Sequence, residues 1–418
     1  MKTSIKLASI FLLGASTALL IGCGTQNDIE IGTANIPASG TSTTSVVGEI
    51  LLSEYSTTTA EGVSIEEGTI TINQGGSYTL QGTLTDGEII VDVEGQEVEL
   101  ILNGVNITNS DGAAIAFVQS SSSTITLAEG STNYLTDGSN ERDYDATLYS
   151  VSSLTIQGKG TINIVGNYQE GIATDMHLTI NEGTIFIQAA DDGLNGSTDN
   201  VSMITINGGT LIINAEGDGI DSNGSLTING GTVITASALT DGSGGLDADG
   251  TILINGGEVI ALGARNSLPA TSSTQKSLVI SFGTTIPKGT IISIESGEES
   301  LLTYALARDT QEMVYSSSSL QDGVSYEIYT NAETSETANN GIYLSSTGGT
   351  LLTSVTTTSA GNTQRSPGGM GGGSGGGGER GPQGGSGMMQ RPEGLSGEMQ
   401  PPQGGMRPPQ EEMQFPTQ

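Results

Sequence analysis

Four stretches of the chain repeat one pattern of apolar and polar positions: LTINEGTIFI from Leu178, ITINGGTLII from Ile204, LTINGGTVIT from Leu226 and ILINGGEVIA from Ile252. Apolar residues alternate with polar ones on both sides of an asparagine corner. Period-two alternation predicts short strands with one buried face. Leu178, Ile204, Leu226 and Ile252 share one inward register, and Ile180, Ile206, Ile228 and Ile254 share the next. After the corner, Ile185, Leu211, Val233 and Val259 form a third. The corner residues Asn181, Asn207, Asn229 and Asn255 lie 26, 22 and 26 residues apart. An earlier copy, LTIQGKGTINI from Leu154, fits with one extra residue. A second motif, Gly-(Ile/Leu), sets a further apolar anchor before each corner: Ile172, Leu194, Ile220 and Leu246. The length differences fall in the loops around these anchors and spare the core registers. That is how a solenoid varies. Counting back to about residue 64 gives roughly eight coils. The predicted fold class is all-β: a right-handed parallel β-helix, the hand following from parallel strands joined by crossovers. Equivalent residues should stack at roughly 4.8 Å, and the corner asparagines should share amide hydrogen bonds.

The flanks differ. Residues 270–335 contain SLVISFG, GTIISIES, LLTYALA and SYEIYT, with Pro287 and Gly289 at a turn. They read as a small β cap, which a solenoid needs because its bare end would pair with other chains. The helix itself is assigned to 63–269, and the Ser/Thr-rich residues 23–62 to a tether. Residues 336–418, rich in Gly, Pro, Met and Gln, cannot bury enough apolar surface to offset ordering entropy and read as a disordered tail. At the other end, Lys2 and Lys6 precede the apolar run LASIFLLGASTALL, too short for a comfortable membrane span. Residues 1–22 therefore read as a signal peptide. The following Leu20-Ile21-Gly22-Cys23 resembles a bacterial lipobox, and Cys23 is the only cysteine. The expectation is an extracytoplasmic protein held to the cell membrane by a lipid on Cys23 alone.

Charge changes the picture further. The formal net charge is −34, from 46 acidic and 12 basic residues. Such a surface repels nucleic acid and anionic lipid and attracts cations. The acidity concentrates in the loop around each anchor: Asp192-Gly-Leu-Asn195, Asp218-Gly-Ile-Asp221-Ser-Asn223, and Gly-Leu-Asp247-Ala-Asp249. Coil stacking would place Asp221 beside Asp247 and Asn223 beside Asp249. Between Lys159 and Arg265 stand 13 acidic residues and not one Lys or Arg. Two carboxylates at ~4 Å repel by about 1 kcal/mol even at bulk-water screening. A hard divalent cation relieves this, and Ca²⁺ takes carboxylate, amide and backbone oxygens. Solvated Asx turns are the other reading of these loops. The missing counter-charge favours Ca²⁺ held by some of Asp192, Asn195, Asp218, Asp221, Asn223, Asp247 and Asp249.

The segments GDGIDSNGSLTINGGTV, GGLDADGTILINGGEVIALG, DDGLN and LYSVSSLTIQGKGTINIVGNYQEGIAT resemble a bacterial family of extracellular carbohydrate-binding domain-containing lipoproteins. The resemblance covers roughly residues 45 to 335. It implies a calcium-containing right-handed parallel β-helix, similar to pectate lyases but binding cellulose and acidic sugars without cleaving them. The residues agree with binding. A β-helix lyase needs Arg or Lys as base near calcium, and the acidic coils contain neither. A polygalacturonase-type hydrolase needs a set of motifs of which only Asp191-Asp192 matches a piece, and the lone His177 sits in Asp-Met-His-Leu. Sugar rings often stack on aromatic side chains. There is no Trp, so the candidates are Tyr134, Tyr144, Tyr149 and Tyr168, in or near a segment 131–150 read as an insertion. These tyrosines read equally as residues at the core edge. Scarce aromatics favour an acidic polysaccharide over crystalline cellulose. Lyase or hydrolase activity, or an envelope adhesin or scaffold, are the alternatives.

Overall fold

The computed structural model describes residues 46–357, apart from 54, 241, 298 and 336. The signal peptide, Cys23 and most of the tail lie outside the described residues. The chain is all-β, a solenoid in which each full coil contributes three strands. The coil around the first asparagine corner shows the unit: Glu170–Thr174, then Leu178–Ile180, then Thr184–Ala189. We call these the acidic-face, pre-corner and post-corner strands. The acidic-face strands form a nine-stranded sheet among the described residues. Its first strand, Val63–Glu66, is antiparallel to Thr69–Ile72, and the other eight run parallel. Eight parallel strands mean about eight coils, as the repeat length predicts. Pre- and post-corner strands belong to one continuous sheet, because Glu97–Thr108 runs through the corner and pairs with strands of both kinds.

The registers are those the alternation requires. Leu178 stacks on Ile204, Ile204 on Leu226, and Leu226 on Ile252. Ile185, Leu211, Val233 and Val259 stack in the same way. All are buried in one core that follows the solenoid axis. Outside the corner, Asn207 Nδ2 donates to Asn181 Oδ1 at 2.8 Å, Asn229 to Asn207 at 2.9 Å and Asn255 to Asn229 at 3.0 Å. Thr274 ends the ladder by donating its backbone N–H to Asn255 Oδ1 at 3.3 Å. The second residue after each asparagine is glycine because φ there is positive, +86° at Gly231, and a Cβ would come within 2.6 Å of the Gly209 carbonyl.

Order extends beyond the expected boundaries at both ends. Val46–Leu52, within the segment read as tether, lies parallel on Gly76–Leu84 and buries Ile50 and Leu52. Its apolar residues mattered more than the Ser and Thr around them. The C-terminal cap continues to Thr350–Thr356, the edge of a five-stranded antiparallel sheet, so residues 337–357 are not tail. The cap works by reversing direction: Thr310–Ser316 pairs antiparallel with Glu258–Gly263 of the last coil. It also covers the outside of the last post-corner strands. Ile234 and Ile260, which point outward, join Leu278, Ile280, Tyr304 and Tyr315 in a second core.

Candidate functional site

The stacked anchors Ile172, Leu194, Ile220 and Leu246 turn the flanking positions into columns. Two residues before the anchor stand Glu170, Asp192 and Asp218. One residue after it stand Tyr149, Ala173, Asn195, Asp221 and Asp247, each paired with the next in strand register. The glycine before each anchor permits this stacking: at Gly219 a Cβ would come within 2.6 Å of the Gly245 carbonyl.

The first column binds backbone. Asp192 Oδ1 accepts the Asp218 N–H at 2.6 Å, and Asp218 Oδ1 accepts the Gly244 N–H at 2.6 Å. The second column is poor in donors. Asn195 Nδ2 donates to Asp192 Oδ2 at 3.2 Å, while Asn195 Oδ1 is buried with no hydrogen-bond partner. No donor among the described residues reaches the half-buried Asp221 carboxylate, which lies in register with Asn195 on one side and Asp247 on the other. Burial, with repulsion from neighbouring acids, pushes Asp192 up to about 6. The same causes push Asp218 and Asp221 up to about 7. Asp247 accepts from the Ala248 N–H at 3.0 Å and from the Ser267 hydroxyl. Asp249 is exposed and adds its charge at Asp221. Asn223 is drawn to another loop: its Nδ2 donates to the Ser197 carbonyl at 2.8 Å and to Asp199 at 3.3 Å. Thus Asp192, Asn195, Asp218, Asp221 and Asp247 come together, Asp249 lies at the margin, and Asn223 binds the 197–199 segment through its Nδ2.

Among the described residues no three His, Cys, Asp or Glu side chains converge as a metal-binding group by themselves. A cation here would also draw on the Asn195 amide oxygen, backbone carbonyls and water, which suits Ca²⁺ with its six to eight oxygen ligands. The buried, unpartnered Asn195 Oδ1 and the donor-free Asp221 fit such an ion.

The tyrosines divide. Residues 132–136 are a regular post-corner strand, so the segment 131–150 is an insertion only over 137–145. Tyr134 points out of that strand, 43% exposed, on a different sheet from Tyr149. Tyr144 and Tyr149 stack with ring centroids 4.9 Å apart. The Tyr149 hydroxyl donates to Asp175 at 3.0 Å. Tyr168 lies under the Arg142 guanidinium, 4.9 Å from its ring centroid. Arg142 is fully engaged, donating to the Tyr144 carbonyl at 2.6 Å, to the Gly138 carbonyl at 2.9 Å and to the buried Asp137 carboxylate. His177 accepts the Met203 N–H on Nδ1 at 3.3 Å.

Two residues are absent from the sequence-derived set. Glu170 occupies the same column as Asp192 and is buried, and its carboxyl is pushed up to about 9 by burial and by Asp145 beside it. Alignment of Ile172 with Leu194 was the signal that pointed to it. Asp145, also pushed up by burial, lies in the 137–145 loop, where no repeat reveals its position.

Known proteins resemble the chain in sequence. A family profile described as "Carbohydrate-binding domain-containing protein" matches residues 66–323. A protein of that description from Acetivibrio thermocellus is 34% identical over 185 residues, 42% of this chain. The chain spans 62% of that relative's length. A solved structure described as the polysaccharide lyase-like protein from C. thermocellum, gadolinium derivative, superposes with a TM-score of 0.40 at 28% identity, covering 51% of this chain and 93% of that one.

Proposed function

Since the chain belongs to the family of carbohydrate-binding domain-containing proteins, we propose that it binds an acidic polysaccharide along its acidic face, with Ca²⁺, and does not cleave it. The observation that carries this reading is the donor-poor oxygen set, Asn195 Oδ1 and Asp221 flanked by Asp192, Asp218 and Asp247. Left anionic, that face repels a polyuronate. Bound Ca²⁺ would reverse the local sign and accept sugar carboxylates as ligands. The protein's own part is to hold these oxygens at fixed one-strand spacing, with no Lys or Arg ion pair on them among the described residues. The tyrosine pair 144/149 offers an aromatic surface near the same face. Repetition from coil to coil suits a linear polymer, whose weak contacts add along one chain.

The engagement of two arginines supports the reading without cleavage. Arg142 is buried with its nitrogens engaged, and Arg308, reaching over from the cap, pairs with Glu216 at 2.5 Å. Neither is free to remove a proton from a bound uronate.

The deciding experiment mixes purified full-length protein with polygalacturonate in calcium buffer. Co-sedimentation should appear with Ca²⁺ and vanish with chelator, while ultraviolet absorbance of unsaturated uronates and reducing ends both stay flat. Rising absorbance would make the protein a lyase, and reducing ends alone a hydrolase. Failure to bind any polyuronate or glucan would leave the scaffold reading.

A further inference from the structure

A sheet edge presents backbone N–H and C=O groups that invite another strand, and folded proteins guard such edges with charge, proline or a covering segment. Most edges of this fold are guarded. The acidic-face sheet begins on Val63–Glu66, with the exposed Glu61, Glu66 and Glu67 in or beside it. It ends on Leu246–Ala248, where the Leu246 N–H donates to Asn266 Oδ1 at 3.1 Å and the Leu246 carbonyl accepts the Ser267 N–H at 2.8 Å. Val46–Leu52 is covered in part by Thr57–Thr58. One edge of the cap sheet is the two-residue strand Ile342–Tyr343. The other is Thr350–Thr356, seven residues long, which pairs with Ser325–Thr330 on one side and with no strand on the other among the described residues.

That last edge lacks charge and proline. Residues 337–364 contain no Asp, Glu, Lys, Arg or Pro, and no other stretch of the chain runs as long without charge. In a chain of net charge −34, this is where a second copy meets the least repulsion. Glu327, opposite Ser354 on the adjoining strand, would stand about three strand spacings, ~14 Å, from its counterpart in a paired copy, beyond the ~8 Å screening length of physiological salt. Leu351 is 50% exposed on this edge, and Thr, Leu and Val suit a half-covered strand. A strand lying antiparallel on its own copy closes a two-fold contact and leaves no further surface to fill. We propose that Thr350–Thr356 joins the same strand of a second copy, fusing two cap sheets across a two-fold axis. The contact is small. A bulge at Leu352 interrupts the edge, since Ile328 pairs with Thr353 and Tyr329 with Leu351. One strand pair also falls short of the about 1,200–2,000 Å² of a stable interface, so the dimer is a reversible one. The strand lies beyond residues 66–323, so the family match does not imply it. Two acidic faces in one particle would double the valency toward a polymer. That consequence rests on the proposed function, and the dimer itself does not.

Sedimentation velocity of full-length protein over a range of about 1 to 200 µM should show the mean mass rising toward that of a dimer, as a micromolar dissociation constant requires. Amide hydrogen exchange at residues 350–356 should slow over the same range. Leu351→Lys sets like charges on both sides of the two-fold axis at an exposed position. The variant should stay monomeric at every concentration, with exchange at 350–356 fast throughout, while its melting temperature and circular dichroism match the parent. Ser354→Lys, also exposed, repeats the test should Leu351→Lys fold poorly. A parent that remains monomeric would overturn the proposal. Edge amides slow at every concentration would then mean that the chain covers its own edge, and fast ones that the edge stays open. A dimer that persists in both lysine variants would place the contact elsewhere and overturn it equally. Polyuronate binding by a monomeric parent would leave the proposed function standing without this dimer.

Discussion

A carboxylate in a repeat acquires meaning from its column. Asp221 shows the effect: with Asn195 below, Asp247 above and no donor in reach, its ionised form is poorly compensated. Its pKa is raised to about 7 in the folded chain, as is that of Asp218, while Asp192 is raised to about 6. Between the ordinary carboxylate range and these values, the unfolded chain has released protons that the folded chain retains. Stability of the metal-free protein should therefore fall as pH rises from about 4 to about 8. Asp221→Asn should separate the two states. In chelator at pH 8 it should stabilise the fold by ~1–3 kcal/mol, since a tenfold difference in proton affinity between folded and unfolded chain is worth about 1.4 kcal/mol. In millimolar Ca²⁺ it should melt lower than the parent, because it loses stabilisation by the ligand. Thermal melts of both proteins in both buffers check this, and the same sign in both would remove Asp221 from the calcium site. These columns were legible because the anchors repeat. Asp145 was not, because its loop has no counterpart in the next coil. The Asn223 Nδ2 contacts were not legible, since the 197–200 loop that receives them is itself an irregular insertion.

At the scale of the element, alternation determined the strands and the corner asparagine determined the register. The asparagine ladder is the clearest case. Asn229 takes part in two of its bonds, at 2.9 and 3.0 Å. Asn229→Ala should cost about 1–2 kcal/mol, two hydrogen bonds of ordinary net worth at an exposed position. Urea unfolding measures the loss, and no shift in midpoint would mean the ladder is ornamental. Element boundaries were harder to read. Ile50 and Leu52 form a strand on the first coil although Ser and Thr dominate the surrounding stretch. The cap had a signal that went unused. On the post-corner strands the outward positions change from Asn163 to Phe186, Ile212, Ile234 and Ile260. Apolar residues on the outer face of successive coils mean that something covers them, and the second core is what does.

For the molecule as a whole, the excess of acid over base separates two kinds of partner. Arg308 crosses from the cap to Glu216 and neutralises a rim charge, yet no Lys or Arg ion pair reaches the aspartate columns among the described residues. That absence is what the proposed bridging of a polyanion by Ca²⁺ requires. Its placement in the cell rests on Cys23, which we propose carries a lipid. Cys23→Ser should move the protein from the membrane fraction to soluble or unprocessed form. Fractionation of expressing cells tests this, and unchanged membrane association with normal processing would refute the anchor.

The antiparallel strand Thr310–Ser316 carries a consequence of another kind. It meets the last coil through backbone hydrogen bonds along Glu258–Gly263 and through the outward residues Ile260 and Leu262. The asparagine ladder likewise ends on Thr274, which needs only the corner of whichever coil comes last. This junction reads the last three coils, its farthest contact being Arg308 on Glu216, and not how many coils precede them. Duplication of one unit of 22 or 26 residues in the gene would lengthen the row of acidic rungs by one and leave both ends as they are. Valency toward a polymer could therefore be tuned by duplication of a repeat, without a single new side chain having to evolve.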